Sequence, residues 1–513
     1  MADAASVERV DVVVVGAGIS GIGAAVHLRR RCPERSFVLL EARDDIGGTW
    51  DLFRYPGVRS DSDMHTLGYE FKPWRAEKSI ADGPSIMAYL RETVAEHDVA
   101  RHVRHGLRVV RAEWSTPRAT WTVTAERTSG GTATYECNFL FMCAGYYSYR
   151  AGHLPEFPGR ERFRGRIVHP QEWPDDLDWA GRRVVVIGSG ATAVTLVPAM
   201  AATAAKVTML QRSPTWMVAR PDVDRVANWL RRRLPATLAY RITRAKNVWW
   251  QQLVYRRTRT DPAKVRERLL DGVREVLGPG SEEAVARHFT PRYDPWDQRL
   301  CLVPNGDFFA AMRRGAVDVV TDEIATFDEA GIVLASGARL DADVIVTATG
   351  LRLVTPGEAQ FVVDGEPVDF ARTWTYKGLA YSDVPNLATT FGYINASWTL
   401  RADLVARYVC RLLRHMSDTG TRQCTPRLRE SDRDMPARPW IDDFSSGYMQ
   451  RAMHLMPRQG DRAPWLNPQN YAADRRMLRR DPVDDGVMRF TGPALEDAHA
   501  VGAEGVEPPT LSL

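Results

Sequence analysis

Residues 10–21, VDVVVVGAGISG, are the stretch that decides the fold of this chain. The first half, Val10 to Val15, contains four consecutive valines, which is typical of a strand buried on both faces of a parallel sheet. The second half has the spacing GxGxxG, and residues 22–30 then have the pattern of a helix. A strand, a glycine-rich turn and a helix in this order predict the start of a βαβ unit that binds a dinucleotide.

The next strand supports this interpretation. Residues 37–40 form an apolar run that ends in Glu41, about twenty residues after the last glycine, where a ribose-binding acid is expected. Gly16 would make the tight turn, Gly18 would let the backbone approach a pyrophosphate, and Gly21 would let helix and strand pack closely. The helix N-terminus would bind that pyrophosphate through free N–H groups. Because an acid accepts bonds from ribose hydroxyls and repels a 2'-phosphate, this site favours FAD or NAD over NADP.

A second unit of the same kind lies later in the chain. The strand at 183–187 is followed by the turn GSGATA at 188–193 and by a helix, and a further strand covers 206–210. No acid ends this last strand, which instead leads to Arg212 and Ser213. A guanidinium binds phosphate in a fork, so this site favours the 2'-phosphate of NADP. The chain therefore contains two nucleotide sites of opposite preference.

The length and composition of the chain limit the number of domains and the classes of function that are possible. A chain of 513 residues is too long for one ordinary core, which predicts two or three domains. The net charge of +4 gives no general argument for nucleic acid. The six cysteines show no CxxC pair or disulfide spacing, which predicts reduced thiols, a cytoplasmic setting and no redox-active cysteine pair. Neither a signal peptide nor a membrane-spanning segment is predicted, and no metal site is expected.

Residues 225–274 are locally very basic, with 14 basic residues against 3 acidic ones. Trp229, Trp249 and Trp250 are interleaved with the charges, and prolines divide the stretch into three or four predicted helices. One interpretation is a helical subdomain with a solvated basic face whose tryptophans pack against their neighbours. The other is peripheral contact with an anionic membrane surface. No base-reading motif accompanies the charge, so nucleic-acid binding is not favoured.

Two further motifs carry a resemblance. Residues 163–174, FRGRIVHPQEWP, have the spacing FxGxxxHxxxWP, and residues 47–61, GGTWDLFRYPGVRSD, have the spacing GGxWxxxxYPGxxxD. Both patterns resemble the signatures of Baeyer–Villiger monooxygenases, flavoproteins of class B. Over nearly the full chain, including GYINASWTL at 392–400, the sequence is similar in particular to the ethionamide-activating members of that family. The loop at 47–61 is itself too irregular for a regular strand or helix.

The resemblance implies a reaction. In this family NADPH reduces FAD, O₂ adds at the flavin C4a atom, and the resulting peroxyflavin attacks the carbonyl of a small ketone to give an ester or lactone. Oxidation of sulfur in thioethers or thiocarbonyls is also implied. The alternative is a flavin-containing monooxygenase that forms only N- or S-oxides. The expected partners are thus a ketone or sulfur-containing small molecule and molecular oxygen.

The resemblance also assigns catalytic roles. Arg299 matches the arginine that stabilises the peroxyflavin, and Asp61 would pair with it. His169 and Trp173 would couple domain rotation to the retention of oxidised NADP rather than transfer a proton directly. Many family members have a lysine where this chain has Gln298, so NADP preference would depend more on Arg212 and Ser213.

The predicted fold class is therefore α/β, with two Rossmann-like dinucleotide-binding domains, for FAD and NADP, and a helical insert in the NADP domain. The FAD domain would take residues 1–150 and 351–493, the NADP domain 151–214 and 299–350, the insert 215–298, and a disordered tail 494–513. In the loop at 47–61, the first half would lie along FAD and the second half would face NADP. The predicted FAD-binding residues are Gly16, Gly18, Ser20, Gly21, Glu41, Gly48, Thr49, Trp50, Asp51, Leu52 and, through its backbone, Val109. The predicted NADP-side residues are Arg59, Ser60, Asp61, Gly188, Ser189, Gly190, Ala191, Thr192, Ala193, Val194, Arg212 and Ser213.

Overall fold

The fold is seen in a computed structural model that describes residues 7–354, 356–442 and 444–492. The predicted disordered tail, 494–513, lies outside these described residues. The strands are β1 (Glu8–Val15), β2 (Phe37–Leu40), β3 (Val103–Arg104), β4 (Leu107–Ser115), β5 (Thr120–Arg127), β6 (Thr132–Met142), β7 (Arg166–Val168), β8 (Arg183–Ile187), β9 (Lys206–Gln211), β10 (Met217–Arg220), β11 (Cys301–Pro304), β12 (Val317–Thr321), β13 (Ile324–Asp328), β14 (Gly331–Leu334), β15 (Arg339–Asp341), β16 (Val344–Thr347), β17 (Gln360–Val363), β18 (Glu366–Pro367), β19 (Thr375–Tyr376), β20 (Ala380–Tyr381), β21 (Leu387–Thr389), β22 (Gln423–Pro426) and β23 (Met488–Thr491).

Helices connect these strands and cover the sheets. They are α1 (Ile19–Arg31), α2 (Thr49–Leu52), α3 (Met64–Leu67), α4 (Gly83–Glu96), α5 (Ala191–Met200), α6 (Arg225–Arg233), α7 (Ala236–Thr260), α8 (Pro262–Leu277), α9 (Glu282–His288), α10 (Asp307–Arg313), α11 (Trp398–Thr419), α12 (Gly447–Ala452) and α13 (Tyr471–Arg479). Among the residues that the structure describes, no helix has both the length and the apolar character needed to cross a membrane.

The first sheet is built around the valine-rich strand β1. Its order is β18-β17-β4-β5-β6-β1-β2-β3, and β21 pairs with β6 at a branch. Strands β6, β1, β2 and β3 run parallel, with Val12 opposite Phe37 and Phe139. Strands β4, β5 and β6 form an antiparallel meander that extends the same sheet. The two faces of β1 enter different cores: Val12 and Val14 pack beneath the helices, and Val13 and Val15 pack against the meander.

The second sheet repeats the parallel core of the first. Its order is β12-β9-β8-β16-β7, and all four pairings are parallel. One face packs on α5 and α10, and the other packs on the small antiparallel sheet of β13, β14 and β15. Two sheets, each with a parallel core that is entered through a βαβ unit, confirm the predicted α/β class with two Rossmann-like units. The domain bounds drawn from the sequence stay a prediction.

Several helix bounds differ from the sequence-based expectations. The pattern predicts a helix over 79–97, but α4 begins at Gly83, because the Asp82 carboxylate accepts from the Ser85 N–H at 2.8 Å and Ser79 is bound to the carbonyl of Asp222. Helix α1 begins at Ile19 rather than 22, so the glycine turn runs directly into the helix. The loop at 47–61 contains the one-turn helix α2, where the Leu52 N–H donates to the Gly48 carbonyl. The prediction of an entirely irregular loop is therefore wrong.

The predicted range of the helical insert, 215–298, contains a strand as well as helices. Strand β10 lies inside that range and pairs in parallel with β11, so the helices begin only at Arg225. Residues 225–288 form four helices, α6 to α9, which are separated close to Pro235, Pro262 and Pro279. The expectation that the insert tryptophans pack against their neighbours is also wrong, since Trp229, Trp249 and Trp250 are all exposed.

Candidate active site

The N-terminal ends of two helices, α1 from the first unit and α5 from the second, meet at one cavity of about 340 Å³. Gly18 and Ser20 line it at the α1 end, and Ala191 and Thr192 line it at the α5 end. Each helix has a glycine at its N-cap and no side-chain cap, so the first N–H groups of both helices are open to a ligand. Two helix dipoles thus direct positive potential into the same cavity.

The first glycine turn has no room for side chains. Gly16 has φ +98°, and a Cβ there would lie 2.7 Å from the carbonyl oxygen of Cys143 at the end of β6. Gly18 lies against Gly48, where a Cβ would come within 3.1 Å of the Gly18 Cα. A Cβ at Gly21 would lie 1.8 Å from the Gly16 carbonyl oxygen, so Gly21 is needed for close packing and does not line the cavity. The backbone therefore forms the cavity wall at this point.

Glu41 lies at the end of β2 and lines the cavity, although its side chain is buried. Its carboxylate accepts from the backbone N–H groups of Ala17 at 2.7 Å and Arg43 at 3.0 Å. Burial raises the pKa of Glu41, and these two backbone hydrogen bonds oppose the rise. The remaining lone pairs can accept from hydroxyl groups of a ligand. Val109, on β4, lines the same end of the cavity.

The loop at 47–61 crosses from the first unit to the second. Thr49 and Trp50 line the cavity, and the Thr49 hydroxyl lies 2.5 Å from the Tyr147 hydroxyl. Gly57, with φ +75°, lies so close to α5 that a Cβ would be 2.7 Å from the Ala199 Cβ. Arg59 lines the cavity and donates to Asp307 at the start of α10, at 2.5 Å. The loop is therefore held at both ends by different units.

Three predicted residues of this loop do not line the cavity. Asp51 accepts from the Arg43 guanidinium at 2.6 Å, and Leu52 closes the turn of α2. Ser60 is buried, and its hydroxyl accepts from the Ala81 N–H at 3.2 Å. The Ser60 side chain thus holds two loops together, and a contact of Ser60 with the nicotinamide side stays a prediction.

The Arg299 guanidinium enters the cavity and donates to the Asp61 carboxylate. The Arg299 side chain is 32% exposed, so the pair is open to a bound molecule. The negative charge of Asp61 raises the pKa of Arg299 further above its ordinary value. Tyr146 and Tyr448 lie beside the pair, and burial raises the pKa of both phenols. Arg299 is therefore a permanent positive charge in a site lined by neutral phenols.

The second glycine turn has a different geometry. Gly188 has φ +128°, and a Cβ would lie 2.3 Å from the Ala348 carbonyl oxygen at the end of β16. Nothing lies within 4 Å of the Cβ position of Gly190, so a ligand has free access there. The Ser189 hydroxyl donates to the Ser213 carbonyl at 3.1 Å. Arg212 and Ser213 are exposed beside this turn and do not line the central cavity. Ala193 and Val194 are residues of α5 and are buried on the side of the helix that faces the core.

His169 and Trp173 do not lie in the central cavity. The His169 ring accepts at Nδ1 from the Gln171 N–H at 3.2 Å and donates from Nε2 to the Gly350 carbonyl at 3.3 Å. Burial lowers the pKa of His169, so the neutral ring joins two segments of backbone. A Cβ on Gly152 would lie 1.9 Å from this ring, so only glycine permits the contact. Trp173 packs edge to face on Trp179, with 5.9 Å between the ring centroids.

Aromatic residues that were not among the predicted site residues form one wall of the cavity, the aromatic wall. Tyr146, Tyr147, Tyr149 and Trp398 line the cavity. Tyr146 stacks on Trp398 with 5.1 Å between centroids, and the Trp398 indole donates to the Ser20 hydroxyl at 2.8 Å. The run YYSY after Ala144-Gly145 was an available signal, because it follows the end of a strand that leads to the cavity. Tyr448 is far away in sequence and had no such signal.

The donor set fits two dinucleotides. At the first glycine turn the backbone itself forms the cavity wall, the first N–H groups of the helix are open to a ligand, and a buried acid lies nearby. This combination suits FAD. The second turn combines an open N–H turn with a nearby exposed guanidinium, which suits NADP. The cavity itself lies where the two meet, which is where a nicotinamide would have to reach a flavin.

Comparison with known proteins agrees with this geometry. Residues 79–271 match the family model of flavin-binding monooxygenase-like proteins, and residues 14–76 match that of NAD(P)-binding Rossmann-like domains. The chain is 51% identical to the FAD-containing monooxygenase EthA of Mycobacterium tuberculosis (strain ATCC 25618 / H37Rv) over 94% of this chain and 98% of that protein. It is 46% identical to the probable FAD-binding monooxygenase AlmA of Acinetobacter baylyi (strain ATCC 33305 / BD413 / ADP1) over 94% of this chain and 96% of that protein.

Solved structures give the same fold. An oxidized steroid monooxygenase bound to NADP superimposes with a TM-score of 0.75 at 24% identity, over 94% of this chain and 100% of that chain. An open crystal structure of cyclohexanone monooxygenase superimposes with a TM-score of 0.67 at 22% identity, over 82% of this chain and 90% of that chain. At these identities the likeness concerns the fold alone, and the kinship is established by the sequence relatives. The chain belongs to the class B flavoprotein monooxygenases and is an FAD- and NADPH-dependent monooxygenase.

Proposed function

We propose that this enzyme performs Baeyer–Villiger oxidation, in which one atom of O₂ is inserted next to the carbonyl of a small ketone. Ketone, O₂, NADPH and a proton would give an ester or lactone, NADP⁺ and water. The observation that carries the proposal is the position of Arg299, paired with Asp61 in the cavity that both nucleotide units reach. The same site would also oxidise sulfur in thioethers or thiocarbonyls.

The first unit would hold FAD. The open N–H groups at the start of α1 would bind the pyrophosphate, and Glu41 would accept from the ribose hydroxyls. Thr49 and Trp50 would lie along the flavin, and the Val109 backbone would face the adenine. Bound FAD, once reduced by NADPH, would supply the electrons that activate dioxygen.

The second unit would hold NADP(H). The turn at 188–193 would bind the pyrophosphate, with Gly190 leaving the space for its approach. Arg212 and Ser213 would bind the 2'-phosphate outside the cavity. Arg59, which lines the cavity and is tied to Asp307, would face the nicotinamide side. Since Arg212 is exposed, this contact is open to solvent and its contribution is screened by salt.

Arg299 would stabilise negative charge on oxygen during the reaction. A fixed cation in a partly water-excluded site stabilises an oxyanion far more than the same cation in water, and needs no reorganisation. Asp61 would restrain the guanidinium through their ion pair. Its carboxylate also limits the net positive charge of the empty cavity. Asp61 would thus position Arg299 rather than exchange protons itself.

The aromatic wall would keep water out. Tyr146, Trp398 and Phe391 contact one another, with centroid separations from 5.1 to 5.4 Å. Tyr146 and Trp398 line the cavity, and Phe391 packs against both rings, so this wall offers few hydrogen bonds. A dry wall protects reactive oxygen species from hydrolysis and proton leakage. His169 and Trp173, outside the cavity, would act on domain movement instead.

The test is a substrate screen with product identification. Purified enzyme with FAD bound is incubated with NADPH, O₂ and a panel of linear and cyclic ketones, thioethers and thioamides. Formation of an ester or lactone from at least one ketone supports the proposal. Turnover of sulfur or amine substrates with no ester or lactone from any ketone would instead assign the enzyme to heteroatom oxidation.

A further inference from the structure

The helical insert carries an unusual concentration of exposed apolar side chains. Eight large hydrophobic residues are exposed in the described parts of the chain, and six of them lie on α6 and α7. They are Val226, Trp229, Leu238, Ile242, Trp249 and Trp250. Trp249 is 62% exposed and Trp229 is 54% exposed. Tryptophan side chains on the surface of a soluble protein are rarely this exposed unless that surface binds a partner.

On α7 these residues form a stripe. Leu238, Ile242, Ala245 and Trp249 are spaced by four, three and four residues, which places them on one face of the helix. All four are exposed. At a rise of about 1.5 Å per residue the stripe is roughly 17 Å long. A face of this length is too extended to be an incidental apolar contact.

The opposite face of α7 packs on the rest of the protein, and its contacts determine that the stripe points outward. The Tyr240 hydroxyl donates to the Tyr69 carbonyl at 2.9 Å, and Arg244 donates to the Gly68 carbonyl at 2.7 Å. The Gln251 amide donates to Asp63 at 3.0 Å. These contacts hold α7 on the segment that includes Leu67, a residue of the central cavity. The stripe therefore faces outward on a helix that adjoins the active site.

The surroundings of the stripe are positively charged. Residues 225–260 contain ten basic residues and no acidic residue. In the described residues, six of the ten have neither an ion pair nor a side-chain hydrogen bond as donor: Arg225, Arg232, Arg233, Arg241, Arg256 and Arg257. The Arg233 guanidinium lies over the Trp229 ring, 5.5 Å from its centroid. Unpaired arginines beside exposed tryptophans are typical of protein segments that contact anionic lipid surfaces.

A groove at the edge of the stripe adds to the positive charge. A cavity of about 650 Å³ between α7 and α13 is lined by Trp249 and Ala245 of the stripe. It is also lined by five arginines, Arg241, Arg244, Arg407, Arg475 and Arg479, and by a single acid, Glu70. Glu70 already pairs with Arg407 and Arg479, so it leaves Arg241 and Arg475 uncompensated. This groove suits a phosphate headgroup.

We propose that the exposed face of α6 and α7 is a docking surface for a membrane rich in anionic lipid, with the tryptophans in the interface and the arginines on the headgroups. A second copy of the chain fits this face poorly, because a two-fold contact would bring two unpaired basic surfaces together. Nucleic acid would match the charge but would leave the apolar stripe in water. A lipid surface satisfies both features.

Vesicle binding tests this inference without any turnover. FAD-loaded enzyme is floated with vesicles of pure phosphatidylcholine or with vesicles containing phosphatidylglycerol, at low and at high salt. Binding to the anionic vesicles that weakens at high salt is the expected result. Absence of binding to anionic vesicles at low salt would overturn the inference and would leave the proposed reaction untouched.

Charge variants identify the surface. The triple variant R232Q/R233Q/R241Q should lower the partition coefficient onto anionic vesicles by roughly fivefold for each arginine removed, or about a hundredfold in all. The matched control, R164Q/R182Q/R314Q, removes three exposed arginines outside the insert and should bind within about twofold of the wild type. Equal losses in both variants would show a non-specific effect of net charge and would overturn the assignment of the surface.

Substitution of one exposed apolar residue distinguishes a lipid surface from other binding partners. Trp249→Gln should weaken binding to anionic vesicles at least severalfold, whereas Leu455→Gln, which alters an exposed residue outside the insert, should not. Both variants should consume NADPH at the wild-type rate, which shows that they are folded. Concentration-dependent self-association abolished by Trp249→Gln, or tighter binding to DNA than to anionic vesicles, would assign the face to that other partner and overturn the proposal.

Discussion

At the scale of single residues, Arg299 is the group on which the proposed chemistry depends most. Arg299→Ala should lower product formation by roughly a hundredfold to a thousandfold, because one fixed donor to a developing oxyanion is lost. Anaerobic reduction of FAD by NADPH should remain, since neither glycine turn is altered. Stopped-flow absorbance of the flavin and product analysis measure the two steps separately.

The matched control for this variant is Arg54→Ala. Arg54 lies on the same loop as Asp61, but its side chain is 60% exposed and it does not line the cavity. It should retain ester formation within about threefold. Normal ester formation by Arg299→Ala would show that the charge is not used and that the role of Arg299 is misassigned.

Arg212 is the residue expected to distinguish NADPH from NADH. Arg212→Ala should raise KM for NADPH roughly tenfold to a hundredfold, as expected for the loss of a hydrogen bond to a charged group, and leave KM for NADH nearly unchanged. Arg182→Ala, which removes an exposed arginine at the opposite end of β8, is the control. An equal rise of KM for both nucleotides would mean that Arg212 does not contact the 2'-phosphate.

At the scale of elements, the turn between β8 and α5 contains two glycines, Gly188 and Gly190, that are expected to have different roles. Gly188→Ala should lower the free energy of unfolding by at least about 1 kcal/mol, because its φ is +128° and its Cβ would collide with Ala348. Gly190→Ala should leave stability unchanged, because its φ is −75° and nothing occupies the Cβ position. Its added methyl group should instead hinder the pyrophosphate and raise KM for NADPH.

Thermal unfolding and steady-state kinetics on the two variants check this separation. The expected pattern is a lower Tm for Gly188→Ala only, and for Gly190→Ala a wild-type Tm with weaker NADPH binding. A wild-type KM for NADPH in Gly190→Ala would show that the pyrophosphate does not approach this position.

The observed bounds of the strands and helices show which local sequence signals were sufficient to predict them. Strand β2 and strand β8 have the predicted limits, because their apolar runs end abruptly at polar residues or glycine. Helix α4 begins later than predicted, because the N–H groups of Ser79 and Ile80 both donate to the carbonyl of Asp222, in a distant segment. The tryptophans of α6 and α7 were expected to be covered, and the arrangement of neighbouring segments leaves them open. Contacts between segments distant in sequence decided both outcomes.

At the scale of the whole molecule, fully and partly buried histidines predict acid sensitivity. Burial is the first cause of a lowered pKa for seven histidines: His27, His65, His97, His102, His153, His169 and His288. Their unfolded-state pKa is about 6.5. Below that pH the unfolded chain binds more protons than the folded protein, so stability falls as pH falls. About one pH unit above 6.5 and higher, both states are largely neutral at these positions and the loss is small.

Thermal unfolding of the FAD-loaded enzyme at pH 7.5, 6.5 and 5.5 measures this dependence. The Tm should fall at each step, and the fall from pH 6.5 to 5.5 should be the larger of the two. A Tm that stays constant down to pH 5.5 would show that the histidines titrate in the folded protein as they do in the unfolded chain.

The sequence by itself determined the two nucleotide-binding units, because glycine spacing and valine runs are local properties of the chain. The family followed from the resemblance of two motifs to known signatures, and the opposite nucleotide preferences of the two units stay a prediction. The contact between Asp61 and Arg299 could be expected only through the resemblance. Tertiary structure alone decided that Ser60 binds another loop, that Tyr146 and Tyr448 flank Arg299, and that the face of α7 is uncovered. These outcomes depend on which distant segments come together, and no local pattern encodes that.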